Sequence, residues 1–359
     1  MTQEAGSGGA AVADVSATEV AAWRHRHLLD LDELTREEIL TLLAMAEAMR
    51  EVLARPVKRV PTLRGTTVAT LFYEASTRTR ASFELAAKVL GADVINLSPS
   101  GSSVEKGESL IDTVRTLQAI GVDVLVMRHW QSGAPYLAAQ HADPSLRSGQ
   151  AMAVVNGGDG WHAHPTQALL DIYTMRAHLG DLWERKVVIV GDIVHSRVAR
   201  SNVWGLTAMG AQVVLCGPPT LLPADLGDGP LFGPAQTLRQ AQGERRRLPP
   251  VAVETNLDRA IEGADVVMAL RLQKERHVGA DGRPPLLPSL REYVRLYQVN
   301  EERLARAKPD VLVMHPGPMN EGVEIAPGVA HGARSLIEEQ VQNGVAVRMA
   351  VLYLVAGER

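Results

Sequence analysis

With 359 residues, 46% hydrophobic and 4% aromatic, the chain has the composition of a globular protein and the length for about two domains. Its 37 Lys and Arg against 41 Asp and Glu leave a net charge of -4, which excludes a global basic field for nucleic acid or anionic lipid, so an anionic ligand must be met locally. One cysteine, Cys216, excludes an internal disulfide framework and a thiolate zinc cluster and points to a reducing compartment such as the cytoplasm; no apolar run reaches the roughly 18 residues of a membrane-spanning helix, so a soluble protein is expected.

Residues 1–23 read as a flexible tail: up to Val20 they are rich in Ala, Gly, Ser and Thr and lack Lys and Arg, which matches neither a secretory signal nor a transit peptide. Leu34, Ile39, Leu40, Leu43 and Ala46, with Thr35 ahead of Glu37 and Glu38, predict a capped amphipathic helix over 32–53. Aliphatic runs then recur between helical stretches at 68–72, 122–127, 187–190, 213–216, 266–270 and 311–314, as buried parallel strands do. Strands alternating with helices imply an α/β protein of doubly wound parallel sheets. The helical pattern after His164 is long enough to carry the chain from one such domain to the next. Residues 221–250 turn Gly- and Pro-rich and end in Arg245, Arg246 and Arg247, a surface loop insertion with a solvated basic triplet.

In open α/β sheets, ligands bind beyond the carboxyl ends of the strands. Four of the predicted strands end in polar groups: Ser76-Thr77-Arg78-Thr79-Arg80, Arg128-His129, Arg271-Leu272-Gln273 and His315-Pro316-Gly317-Pro318. The first precedes a helical pattern, so free N–H groups, hydroxyls and a guanidinium fork gather at a helix N-terminus, as a phosphate site requires. Plain capping needs one hydroxyl and explains neither Arg78 nor Arg80. His164 and Gln167 lie at i and i+3 and face one way if Pro165 opens a helix, so both can hydrogen-bond one small planar group. Residues 93–110 hold the Gly/Ser-rich stretch with Ser102, Ser103 and Lys106, which has the look of a mobile loop. Residues 187–192 open like a dinucleotide-binding unit, but the later glycines of that fingerprint are absent, and Arg197 at the turn suits a carboxylate instead. Arg271 and Gln273, two apart in extended chain, project to one side.

Taken in order, and above all in Ser76-Thr77-Arg78-Thr79-Arg80 and His164-Pro165-Thr166-Gln167, these motifs resemble the aspartate/ornithine carbamoyltransferase family from about Arg24 to the C-terminus, interrupted only near Leu221 to Pro250. The resemblance implies a carbamoyl-phosphate domain over 24–163, an interdomain helix over 164–178, an acceptor domain over 179–330 and a C-terminal helix within 331–359 that packs back on the first domain. It implies transfer of a carbamoyl group from carbamoyl phosphate to L-aspartate, an early step of pyrimidine synthesis, with ornithine or another amine as the alternative acceptor. It further implies no metal or organic cofactor and a homotrimer with active sites between subunits, open to larger assembly with regulatory chains or dihydroorotase. Carried over residue by residue, Ser76, Thr77, Arg78 and Thr79 resemble the family's phosphate cradle, and Arg128 the arginine that reaches phosphate and carbonyl oxygen. His164 is similar to the residue that polarises the carbonyl; Gln167 and the backbone carbonyls of Pro316 and Gly317 resemble the holders of its amide. Ser102 and Lys106 are similar to residues lent by a neighbouring subunit, and Lys106, Arg197, Arg271 and Gln273 to the aspartate grip. Arg78, Thr79, Lys106, Arg128 and His164 are the catalytic set on this resemblance. Gly317 in the late motif, where ornithine enzymes typically carry a cysteine, favours aspartate on this resemblance, and one residue departs from it: Glu321 stands where many relatives have arginine.

Overall fold

The computed structural model describes residues 23–98, 108–142, 151–223, 251–272 and 289–357. The tail up to residue 22, Ser102, Ser103 and Lys106, the Arg245 to Arg247 triplet and Gln273 lie outside the described residues.

Helix α1, Arg36–Ala54, begins where its sequence says it must: Thr35 Oγ1 accepts from Glu38 N–H at 3.2 Å while Thr35 N–H donates to the Glu38 carboxylate at 2.9 Å. The chain then alternates as predicted, through β1 (Thr67–Phe72), α2 (Thr77–Val89), β2 (Asp93–Leu97), α3 (Leu110–Ala119), β3 (Val124–His129), α4 (Ala134–His141) and β4 (Ala153–Asp159). After the long helix α5 (Pro165–Leu179) come β5 (Lys186–Val190), α6 (Arg197–Ala208), β6 (Gln212–Cys216), β7 (Ala252–Glu254), β8 (Val266–Ala269) and β9 (Leu312–Met314), and the terminal helix Ile337–Ala356.

The strands form two parallel sheets, ordered β2-β1-β3-β4 and β7-β6-β5-β8-β9. Both faces of each sheet are apolar, because consecutive residues of a strand point to opposite sides. Val124 and Val126 join one core cluster and Leu125 and Met127 another; Val187 and Ile189 join the former, while Val188 and Val190 enter a third. The cluster that takes Val124 and Val187 runs through both sheets, and in it the terminal helix packs on α1, α2 and α5. That shared core holds the two sheets in one arrangement.

Three strands carry no long β-branched run and escape the periodicity reading. β2 lies within the segment read as holding a loop, and it is an edge strand whose Asp93 and Asn96 are exposed. β4 is fully buried yet interrupted by Asn156, Gly157 and Gly158, and β7 is a three-residue edge. Elsewhere the strands start or stop within a few residues of expectation: 122–127 becomes Val124–His129, and 266–270 becomes Val266–Ala269. No helix among the described residues is long and apolar enough to cross a membrane.

Candidate active site

Each sheet has one place where neighbouring strands send the chain to opposite sides, between β1 and β3 in the first and between β5 and β8 in the second. Such switch points leave a crevice at the carboxyl ends of the strands. Here the two crevices face each other across a single cavity of ≈ 880 Å³. Ser76, Thr77, Arg78 and Thr79 enter it after β1, Arg128 from the end of β3, Arg197 after β5 and Arg271 after β8. His164 and Gln167 reach it from the start of α5, and Pro316 and Gly317 from the turn after β9. The described site residues singled out in the sequence therefore converge.

Ser76 occupies the N-cap of α2 but makes no side-chain capping hydrogen bond, so capping does not consume its hydroxyl. Arg80 does not line the cavity; its guanidinium lies 5.1 Å from the centroid of the Phe72 ring. Gly317, at φ +62 and followed by a cis peptide bond to Pro318, leaves the space beside it to Arg78, whose guanidinium a Cβ there would overlap. Glu321, the departure noted above, pairs with His331 at 3.2 Å on the surface.

The electrostatics are lopsided. Arg78, Arg128, Arg197, Arg271 and Arg348 line the cavity, and among the described residues that line it Glu74 is the one carboxylate. Burial, then the charge of Arg271, lowers the Arg78 guanidinium from its ordinary range. Burial and then Arg128 push Arg348 down to about 10. Cations set this close repel one another, so the cavity as a whole favours an anion.

Glu74 gives two of these arginines a structural partner. Arg128 donates to it at 2.7 Å and to the Gly157 carbonyl at 3.2 Å, while Arg197 donates to both its oxygens at 2.7 and 2.9 Å and to the Gly160 carbonyl at 3.1 Å. The carboxylate thus ties the first sheet's loop to the second sheet's helix α6. Burial opposes its charge, but Arg197 and then Arg128 outweigh burial and hold the carboxyl down at about 2. A carboxylate lowered from 4.5 contributes stability that is fully present above that value and is lost as pH falls toward 2. The urea midpoint of the wild type should accordingly exceed that of Glu74→Gln by a steady margin above pH 4.5, and the margin should close with acidification. A margin that widens with acid would contradict this pairing.

His164 is buried at the first turn of α5, and its backbone N–H donates to Ser201 Oγ at 2.9 Å. Ser201 in turn donates to Asp30 at 2.6 Å, whose carboxyl is raised to about 7 by burial and then by Asp32. Burial, then the charges of Arg128, Arg197 and Arg348, keep the His164 imidazole well below 6.5 and so neutral at neutral pH. Its Nδ1 has no hydrogen-bond partner among the described residues. Sequence reasoning missed Glu74 and Arg348. Glu74 was signalled by lying two residues before the Ser76 run, and Arg348 by being a lone cation in an apolar stretch of the terminal helix. Among the described residues no group of three or more His, Cys, Asp or Glu is placed to hold a metal ion.

The model of the aspartate/ornithine carbamoyltransferase carbamoyl-phosphate-binding domain matches residues 26–177, and that of the Asp/Orn-binding domain matches 184–355. The chain is 58% identical over 335 residues to the aspartate carbamoyltransferase catalytic subunit of Roseiflexus sp. (strain RS-1), spanning 93% of this chain and 96% of that protein. It is 57% identical over 334 residues to the same-named subunit of Chloroflexus aggregans, covering 93% and 99%. Among solved structures, the Trypanosoma cruzi aspartate transcarbamoylase in complex with N-(phosphonacetyl)-L-aspartic acid superposes with a TM-score of 0.76 at 29% identity, over 94% of this chain and 99% of that one. Ornithine carbamoyltransferase from Pyrococcus furiosus does so at 0.78 and 28%, over 95% and 100%. The backbone is therefore common to enzymes with different acceptors, and the acceptor must be read from side chains.

Proposed function

The chain belongs to the aspartate/ornithine carbamoyltransferase family, and from that membership we propose that it transfers the carbamoyl group of carbamoyl phosphate to L-aspartate, releasing N-carbamoyl-L-aspartate and phosphate. The observation that carries this reading is the facing pair of switch points, which sets five arginines against one carboxylate around a single cavity. A doubly anionic donor and a dicarboxylate acceptor are the ligands such a cavity stabilises. Residues 24–163 form the donor domain and 179–330 the acceptor domain, bridged by α5, whose N-cap is His164.

In this reading Ser76, Thr77, Arg78 and Thr79 hold the phosphate at the N-terminus of α2, where four backbone N–H groups lack helical partners. Arg128 reaches both phosphate and carbonyl oxygen. Gln167 and the carbonyls of Pro316 and Gly317 hold the carbamoyl amide, and Arg197, Arg271 and Gln273 hold the carboxylates of aspartate. The neutral amine attacks the carbamoyl carbon, the C–O bond to phosphate breaks, and the phosphate leaves with the electron pair. The amine proton passes to the leaving phosphate, so no protein base is required. Neutral His164 donates an N–H to the developing oxyanion together with Thr79 and Arg128, and preorganised donors in a dry cleft supply most of the acceleration. Ser102 and Lys106 complete the site from a neighbouring subunit of a homotrimer, and the enzyme works in the cytoplasm.

Ornithine would bring a cationic tail against Arg271, whereas Glu74, the one lining carboxylate among the described residues, is held by two arginines. Phosphate release measured with a panel of aspartate, ornithine and simple amines should therefore occur with aspartate alone. Arg271→Ala should raise the KM for aspartate about tenfold or more while leaving that for carbamoyl phosphate nearly unchanged. Turnover with ornithine, or equal effects on both substrates, would refute the assignment.

A further inference from the structure

We propose that Asp171 is a positioning residue that fixes which end of the Gln167 amide faces the cavity, and thereby selects a donor bearing an NH₂ group. The inference rests on the carbamoyl-transfer reading and deepens it. Asp171 lies one helical turn below Gln167 on α5 and is 0% exposed. Its Oδ1 accepts from Gln167 Nε2 at 2.9 Å and from Gln340 Nε2 at 2.7 Å, and its Oδ2 accepts from Asn202 Nδ2 at 2.8 Å. Three elements, α5, α6 and the terminal helix, thus present amides to one carboxylate. Gln340 cannot turn its amide around, because its own oxygen accepts from His315 N–H at 3.0 Å.

An ionised carboxylate only accepts hydrogen bonds, so the nitrogen end of Gln167 must face it and the oxygen end must face elsewhere. Gln167 lines the cavity, and its carbonyl oxygen is there the partner for an N–H of the carbamoyl group. An acyl donor with a methyl group at that place would leave the oxygen desolvated and unpaired, and a site built to pair a polar group discriminates strongly against the analogue lacking it. Take away the carboxylate and the amide can turn, presenting its NH₂ to an NH₂. The charged group facing Asp171 is Arg348; the other groups facing it are the amides of Gln167, Gln340 and Asn202. Burial, opposed by these neighbours, raises its carboxyl to about 7, so acidification through neutrality converts the acceptor into a donor.

The test measures dissociation constants of carbamoyl phosphate and of acetyl phosphate, without aspartate, for the full-length wild type, Asp171→Asn, Gln167→Met and the double variant. Asp171→Asn should lose about tenfold of the wild-type preference for carbamoyl phosphate. Gln167→Met should lose a similar factor, and the double variant no more than Gln167→Met alone, because one residue acts through the other. An unchanged preference in Asp171→Asn, or losses that add in the double variant, overturns the proposal. Should Asp171→Asn not fold, the wild type decides: its preference should decline from about pH 8 to about pH 6, and a flat ratio overturns the proposal equally. Aspartate is absent and both donors share the phosphate, so neither titration enters the ratio. A wild type that fails to carbamoylate aspartate would strike the proposed function instead, whatever the ratio of constants.

Discussion

Arg78→Ala is expected to lower turnover by on the order of 10²-fold or more, equivalent to about 3 kcal/mol of transition-state stabilisation. The Arg78 guanidinium enters the cavity at the second residue of α2, beside Arg271 and against Gly317, and burial together with the Arg271 charge works against its protonation. In the proposed function that unfavourable placement is offset because the charge of the departing phosphate is met there, and the attraction grows as the bond to phosphate breaks. Since the guanidinium makes no hydrogen bond or ion pair among the described residues, its removal should leave the unfolding midpoint close to that of the wild type. Steady-state kinetics beside urea unfolding separates the two effects. Near-normal turnover in a folded variant would contradict the placement of the phosphate.

Arg128→Ala should be costlier still, on the order of 10² to 10³-fold in turnover, because in the proposed function this side chain serves both the phosphate and the developing oxyanion. Unlike Arg78 it is part of the structure: it donates to Gly157 and to Glu74, and Glu74 also holds Arg197. Losing it leaves Glu74 with one cationic partner, so stability falls together with activity. Arg128→Lys keeps the charge but not the two-pronged fork, and should recover only a small part of the rate. If Arg128→Lys matched the wild type, the fork would be dispensable and the role assigned here would be wrong.

Most of the alternating architecture is legible in the sequence because it rests on local periodicity. The Thr35 capping box, the aliphatic runs of β1, β3, β5, β6 and β8, and Pro165 at the head of α5 each report a preference that their own neighbours satisfy. The strands that escaped are those whose stability comes from a partner rather than from their own side chains: β2 at an edge, β4 interrupted by Gly157 and Gly158, and the short β7. The candidate site divides in the same way. Ser76 to Thr79, Arg128, His164, Gln167, Arg197 and Arg271 stand at the ends of predicted elements, where polar residues are conspicuous. Glu74 and Arg348 left only faint signals along the chain, a place two residues before the Ser76 run and a lone cation in an apolar stretch, and Asp171 became conspicuous only once folded.

By itself, then, the order of residues determined the alternation of strands and helices and the polar groups at their ends, since both follow from spacing along the chain. It also pointed, through the excess of arginines at those ends, to anionic ligands. Only the tertiary structure decided that the two switch points share one cavity, that Glu74 bridges Arg128 to Arg197, and that Asp171 gathers amides from three helices. The physical reason is that a charge or an amide declares its role through its partner, and these partners lie up to 169 residues away along the chain.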